Sequence, residues 1–163
     1  MIGFTIEVAG EVQLHRAIQR FTDGVDDLRP LWPEMSQMFY DIEREQFTTE
    51  GGAGESGPWA PLSPRYAAWK ASHYGGKGIL ERSGGLLASL TGGTGAIHET
   101  TKDSLRIGTS NRHAMFHQKG TRRMPARKVI DLSERNKRRL MKVLQGYLVR
   151  LEREASNAAS AAA

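Results

Sequence analysis

The residues with the chemistry to act are few, and most fail on spacing. His113 and His117 stand at i and i+4, where a helix would place both imidazoles on one face for a shared metal. Zinc sites take three or four ligands, and no Glu follows His113 to make a metalloprotease pattern. The chain has no cysteine to add. His117 is therefore expected as a partly buried, hydrogen-bonding residue. Ser83 precedes Gly84-Gly85 without the Gly-x-Ser-x-Gly elbow of a hydrolase, so it reads as a helix cap. The glycine-rich run from Thr48 to Gly57 has neither a Lys-Ser/Thr pair after it nor a strand opening a helix before it, and so lacks the context of a phosphate cradle. Carboxylate pairs fall on helix surfaces, where ion pairing accounts for them. The sequence supports no enzyme, no metal site and no cofactor.

What remains is a concentration of charge. Lys119, Arg122, Arg123, Arg127 and Lys128 lie within ten residues, interrupted by Gly120 and by Pro125-Ala126. Pro125 lacks an amide donor and pushes Met124 towards an extended conformation, while Gly120 permits positive φ. The segment reads as a shaped loop between an apolar turn, Ala114 to Gln118, and a final helix. Five crowded cations repel one another unless solvent, carboxylates or phosphates neutralise them. They are the candidates for a contact with another subunit or with DNA.

The same asymmetry runs through the whole chain. Net charge is +5 over 163 residues, yet Lys119 to Glu154 carries twelve Lys and Arg against four acids, a balance of +8, and the rest stands at −3. Two surfaces of opposite sign suit nucleic acid at the basic end, or head-to-tail self-association. A hydrophobic content of 39% and a charged content of 25% are ordinary for a globular protein of about one domain. With no apolar run of about 18 residues and no basic-then-apolar start, the expectation is a soluble chain made in the cytoplasm, without a membrane partner.

The positioning elements follow from periodicity. Phe4, Ile6 and Val8 alternate as in a half-buried strand. Leu14, Ala17, Ile18 and Phe21 form one helical face closing near Gly24, and a second helix is expected from about Leu31 to Phe47, with Pro33 in its first turn and Leu31, Met35, Met38, Phe39 and Ile42 as its stripe. Its acids Glu34, Asp41, Glu43 and Glu45 supply much of the negative charge of the front half. Thr48 to Gly57, with four glycines in seven residues, reads as a mobile loop that orders in an assembly. A helix from Ser63 to about Ser72 follows, with Trp59, Leu62 and Trp69 expected in the core. After a flexible turn at His73 to Gly78 comes a short helix bearing Leu86, Leu87 and Leu90, with Ser83 as its cap.

Ala96 to Thr100 and Ser104 to Gly108 read as a hairpin around Thr101-Lys102-Asp103. Ser133 is placed to cap the last helix, whose stripe of Leu140, Leu144, Tyr147, Leu148 and Leu151 leaves Arg135, Arg138, Arg139, Lys142 and Arg150 on a basic opposite face. Residues 155–163 form an Ala/Ser tail read as fraying helix or disorder. The expected class is α+β: one domain over 1–154, a small antiparallel sheet packed against two or three long helices, with extended flexible loops.

An ordered series of short motifs carries a resemblance. Trp59-x-Pro61-Leu62-Ser63, Lys70, Ile79-Leu80-x-x-Ser83-Gly84-x-Leu86-x-x-Ser89-Leu90, Ile107-Gly108-Thr109, Ala114-x-x-His117-Gln118-x-Gly120 and Pro125-Ala126-Arg127, before a helix after Leu132-Ser133, resemble the phage virion morphogenesis family. These are tail completion proteins of tailed bacteriophages. The likeness spans about Phe39 to Leu148. One departure is Lys128-Val129-Ile130, where the family's pattern suggests an aromatic-rich step, which leaves the local packing open.

The resemblance implies a non-catalytic virion component at the head-tail junction, assembled in the host cytoplasm, that completes the tail or neck and joins it to the capsid. It implies a homo-oligomeric ring, expected to be hexameric. Its neighbours would be connector and tail terminator or tube proteins, with genomic DNA passing through. The glycine-rich loop, the turn at Ser72 to Gly78 and the Arg112 to Arg127 segment would then be joining arms. The rival reading is a double-stranded nucleic-acid-binding protein that uses residues 119–154 as a phosphate track, supported by a pI near 9.7. Against it, no aromatic stacking set is interleaved with the cations.

Overall fold

In the computed structural model, which describes residues 11–160, six helices surround one two-stranded sheet. The expected strand at Phe4 to Val8 lies outside the described residues. The first helix, α1, spans Glu11–Asp26 and α2 spans Trp32–Thr48, followed by α3, Pro64–Tyr74, and α4, Gly85–Leu90. Strands β1, Ala96–Thr100, and β2, Leu105–Thr109, form the hairpin, and α5, Arg112–Lys119, leads through the basic loop to α6, Glu134–Ser160. The architecture is α+β.

Helix α2 is the spine of the molecule. Pro33 fits its first turn, where the missing amide costs no hydrogen bond, and Glu34 favours its positive end. Trp32, Ser36, Phe39, Ile42, Glu43, Gln46 and Phe47 recur at helical spacing and are all buried. The expected stripe thus extends into polar residues. Glu43, read as a surface acid, is only 1% exposed.

Two cores flank this spine. In the first, Phe47 and Trp59 meet edge to face at 5.3 Å beside Leu86, Leu90 and Val129. Val129 stands where the family's pattern suggests an aromatic step, and the smaller side chain is fully buried there. The second core holds Leu31, Trp32 and Tyr147, with Val143, Leu144, Leu148 and Leu151 of α6 packed on it. The stripe of the last helix therefore faces inward, as its periodicity predicts. The tip of the hairpin is drawn into the α1–α2 turn, because Trp32 Nε1 donates to Thr101 O at 2.7 Å and Leu28 N to Lys102 O at 2.7 Å.

Three expectations are corrected, and of the two readings of the tail the helical one describes residues 155–160. The stripe on α1 does not face the core: Leu14 and Ile18 are 62% and 56% exposed, and contact with α6 is made where Gly24 abuts Leu151 and its carbonyl accepts a hydrogen bond from Tyr147 Oη. A bulkier residue at position 24 would meet the Leu151 side chain, so glycine sets the close approach. Trp69 is exposed as well, stacked between Tyr66 and His73 on the outer side of α3. The residue at the start of α4 is Gly84 at φ 78°, while Ser83 Oγ accepts from Gly85 N at a long 3.4 Å. Finally, α6 continues as helix through Ala155, which is buried, to Ser160.

The glycine-rich loop is also held more firmly than its composition predicts. Ser56 N donates to Asp131 Oδ2 at 2.7 Å, Asn136 Nδ2 to Ala53 O at 3.2 Å, and Trp59 N to Glu50 O at 2.7 Å. Glu50, itself at φ 48°, turns its carboxylate to accept from Ile79 N at 2.7 Å. Gly54 is packed so closely against Asp131 and Gln46 that a Cβ would stand 2.7 Å from the Asp131 carboxylate.

Candidate assembly interface

The basic loop grows out of a short helix. Asn111 caps α5 by accepting from His113 N at 3.0 Å, and the helix turns Ala114 towards the first core while leaving Met115 and Phe116 exposed. Gly120 then breaks the helix at φ 72°, and any Cβ there would lie 2.8 Å from Ala126 N, so only glycine lets the two strands of the loop approach. Thr121 and Met124 exchange backbone hydrogen bonds, N to O, at 2.8 and 3.2 Å. This tight bridge presents Arg122 and Arg123 at its tip, both exposed and neither in an ion pair among the described residues.

The other cations are arranged differently. Lys119 is exposed at the end of α5. Lys128 is half exposed and lies 4.0 Å from Asp131, a weak surface pair. Arg127 points inward. It is 6% exposed, and its Nε and Nη2 donate to Ala60 O at 2.7 Å and Pro61 O at 3.0 Å, tying the loop to the segment after Trp59. Burial pulls the Arg127 pKa down from its ordinary value, which still leaves a guanidinium charged at neutral pH.

Four residues of the resemblance, Trp59, His117, Gln118 and Arg127, form a hydrogen-bonded frame for this loop. Gln118 Oε1 accepts from Val129 N at 2.8 Å and Ile130 N at 3.1 Å, while its Nε2 donates to Ile130 O at 2.8 Å. One side chain thereby satisfies three backbone groups of a strandless segment. Trp59 Nε1 donates to Lys128 O at 2.8 Å, and His117 O accepts from Arg127 N at 2.7 Å. Lys70 is buried and donates from Nζ to Gly78 O, closing the turn after α3. Leu80, Gly84 and Leu86 stand at or beside the same wall, with Leu62 and Pro125 facing them across a cleft of about 790 Å³.

His113 and His117 stand one helical turn apart on α5. Among the described residues, no third His, Cys, Asp or Glu joins His113 and His117. His117 is half-buried, and its Nδ1 has no hydrogen-bond partner, contrary to the expectation of a satisfied turn residue. Burial, then the charges of Arg127 and His113, lower its pKa and keep the imidazole neutral at pH 7.

The basic face of α6 is largely answered from within the chain. Arg135 and Arg139 share Glu45 at 3.3 and 2.5 Å, and Arg150 pairs with Glu34 at 2.5 Å, so two acids of α2 offset part of the charge of three arginines on the proposed phosphate track. Arg138 and Lys142 remain exposed. Sequence reasoning missed Asn111, which caps the helix leading into the basic loop, and Glu50, Asp131 and Asn136, which hold the glycine-rich loop. Only Asn111, a good capping residue just before a short apolar run, left a local signal. No helix among the described residues is long and apolar enough to cross a membrane.

Comparison with known proteins gives one match. The model of the phage virion morphogenesis family matches residues 11–149. No curated protein matches the chain, and no solved structure does.

Proposed function

The chain belongs to the phage virion morphogenesis family, and from that premise we propose that it completes the tail or neck and joins it to the capsid by subunit contact, without catalysis. The family places the chain among the structural proteins of phage virion morphogenesis. The finer reading rests on one observation: the Arg122-Arg123 tip is exposed and unpaired, yet its base is fixed by Gly120, Gln118 and the Thr121–Met124 bridge. A charged tip on a rigid base loses little conformational entropy on docking, which favours a contact surface over a solvated loop. A homo-oligomeric, hexameric ring would bring this tip of one copy against the acidic front half of the next, through heterologous contacts that close by rotation. Connector and tail terminator or tube proteins are the proposed neighbours, at the head-tail junction of the virion.

The pairing of Arg135, Arg139 and Arg150 with Glu34 and Glu45 speaks against the nucleic-acid reading, because it ties up three cations that a phosphate track would use. The test is complementation of a phage lacking the protein with the R122E/R123E double variant. The purified variant should fold as the wild type does, and electron microscopy should show unjoined heads and tails. Normally joined virions would overturn the role of the tip. Light scattering with and without duplex DNA supplies the second arm. A monomer or dimer that binds duplex with a steep salt dependence would favour the nucleic-acid protein instead.

A further inference from the structure

We propose that the cleft between α3 and α5 is a receptor for an extended acidic peptide, a segment of a neighbouring virion protein whose carboxylates enter between apolar walls. The inference rests on the joining role and specifies the chemistry of one partner. The cleft has the volume of a binding pocket, about 790 Å³, within the roughly 300–1,000 Å³ usual for ligand sites. Its apolar surface comes from Leu62, Leu80, Leu86, Met124 and Pro125. Such walls suit side chains of a peptide and offer nothing to a phosphate rod.

Its charge is unbalanced. Arg82, Arg123 and Arg127 line the cleft, and the one carboxylate on its wall is Glu81. Glu81 acts, with Glu50, on the charge of Lys70. Arg127 is buried and has no carboxylate partner among the described residues; its two hydrogen bonds go to neutral carbonyls. A buried charge without a counter-ion is costly, and an incoming carboxylate would relieve that cost. His117 adds an independent sign, since it lines the same cleft and its buried Nδ1 has no partner among the described residues.

Leu80, on the wall, holds φ 65°, a left-handed conformation unfavourable for a branched side chain. Strain of this kind gathers at ligand clamps. The buried position of Arg127 and Lys70 favours peptide over duplex DNA, whose convex backbone meets cations standing on an open surface.

The test uses the full chain, labelled with ¹⁵N and titrated with a capped nonapeptide repeating Glu-Leu-Pro, against the same peptide with Gln for Glu. Amide shifts at Leu80, Gly84, His117 and Met124 are expected with the acidic peptide. Affinity should fall about tenfold or more with the Gln peptide or in R82E, since a charge-assisted hydrogen bond is roughly twice as strong as a neutral one. No shift at these amides up to millimolar peptide, or equal binding of the Gln peptide, overturns the proposal. A DNA duplex that moves the same amides in place of the peptide also overturns it. The joining role fails separately: peptide bound in vitro while R82E and R122E/R123E virions join normally would sink the joining reading and leave the cleft standing. Unjoined R122E/R123E virions with no peptide binding would do the reverse.

Discussion

Residues 48–57 and 119–128 both look like flexible arms, rich in glycine or charge and interrupted by breakers, but they are held in opposite ways. The first is pinned by side chains from far along the chain, Asp131 just before α6 and Asn136 in its first turn, and it lies against Trp59. The second is fixed at its tip from nearby, by Gln118, Gly120 and the Thr121–Met124 bridge, and turns Lys119, Arg122, Arg123 and Lys128 outward while Arg127 anchors its base. Glycine content thus reports which backbone angles and close approaches a segment uses, not how far it moves. Loops of one composition can serve as masonry or as a contact.

The difference can be broken by removing each loop's supports. The largest effect is expected from Trp59→Ala, which empties the first core and deletes the indole bond to Lys128 O: about 3–5 kcal/mol of stability, read by urea unfolding. Amide exchange should rise across residues 50–57. If exchange there stayed at the wild-type rate, the pinning of the first loop would not depend on Trp59.

The inward face of α2, which also carries Gln46 beneath the first loop, holds Glu43, whose pKa burial raises from 4.5 to about 8. The folded protein therefore holds a proton that the unfolded chain releases between those values. The stability associated with neutral Glu43 is complete below about 4.5 and lost as pH rises through about 8, a change on the order of a few kcal/mol. Denaturation midpoints of the wild type should fall between pH 5 and pH 9, while those of Glu43→Gln should stay level over the same range. Parallel declines would remove Glu43 as the cause.

Asp131→Ala should cost about 0.5–1.5 kcal/mol by removing the acceptor of the exposed Ser56 amide, with faster exchange at Ser56 measured by NMR. The smallest effect belongs to the second loop. R122E/R123E should change unfolding free energy by no more than about 0.5 kcal/mol, the usual bound for surface sites. A larger loss would mean that the tip supports the fold and is not free for a partner.

Periodicity made most of the architecture legible. Helices α2, α3 and α6 and the hairpin were evident because their apolar residues recur at 3.6 or 2 and their ends carry Pro, Ser or Gly. The direction a stripe faces was less legible. The apolar face of α1 predicts burial, but Gly24 permits a closer approach on the other contact, and the larger residues stay outside. Glu43 and Arg127 were hidden for a related reason: a charged residue reads as surface unless the packing around it is known. The cations of the basic loop could be found by counting; that Arg127 turns inward depends on carbonyls 66 and 67 residues earlier, with no local mark.

The hydrogen bond from Tyr147 to the carbonyl of Gly24 joins residues 123 apart in the chain. During translation α1 therefore leaves the ribosome long before α6 exists, and at about 5–20 residues per second it waits roughly 6–25 s for the side of the molecule it packs on. For that interval the side that will meet α6 faces water, as Leu14 and Ile18 do in the folded chain as well. The nascent chain is thus a natural client for a chaperone that shelters α1, and a late stop codon within α6 would leave that helix orphaned.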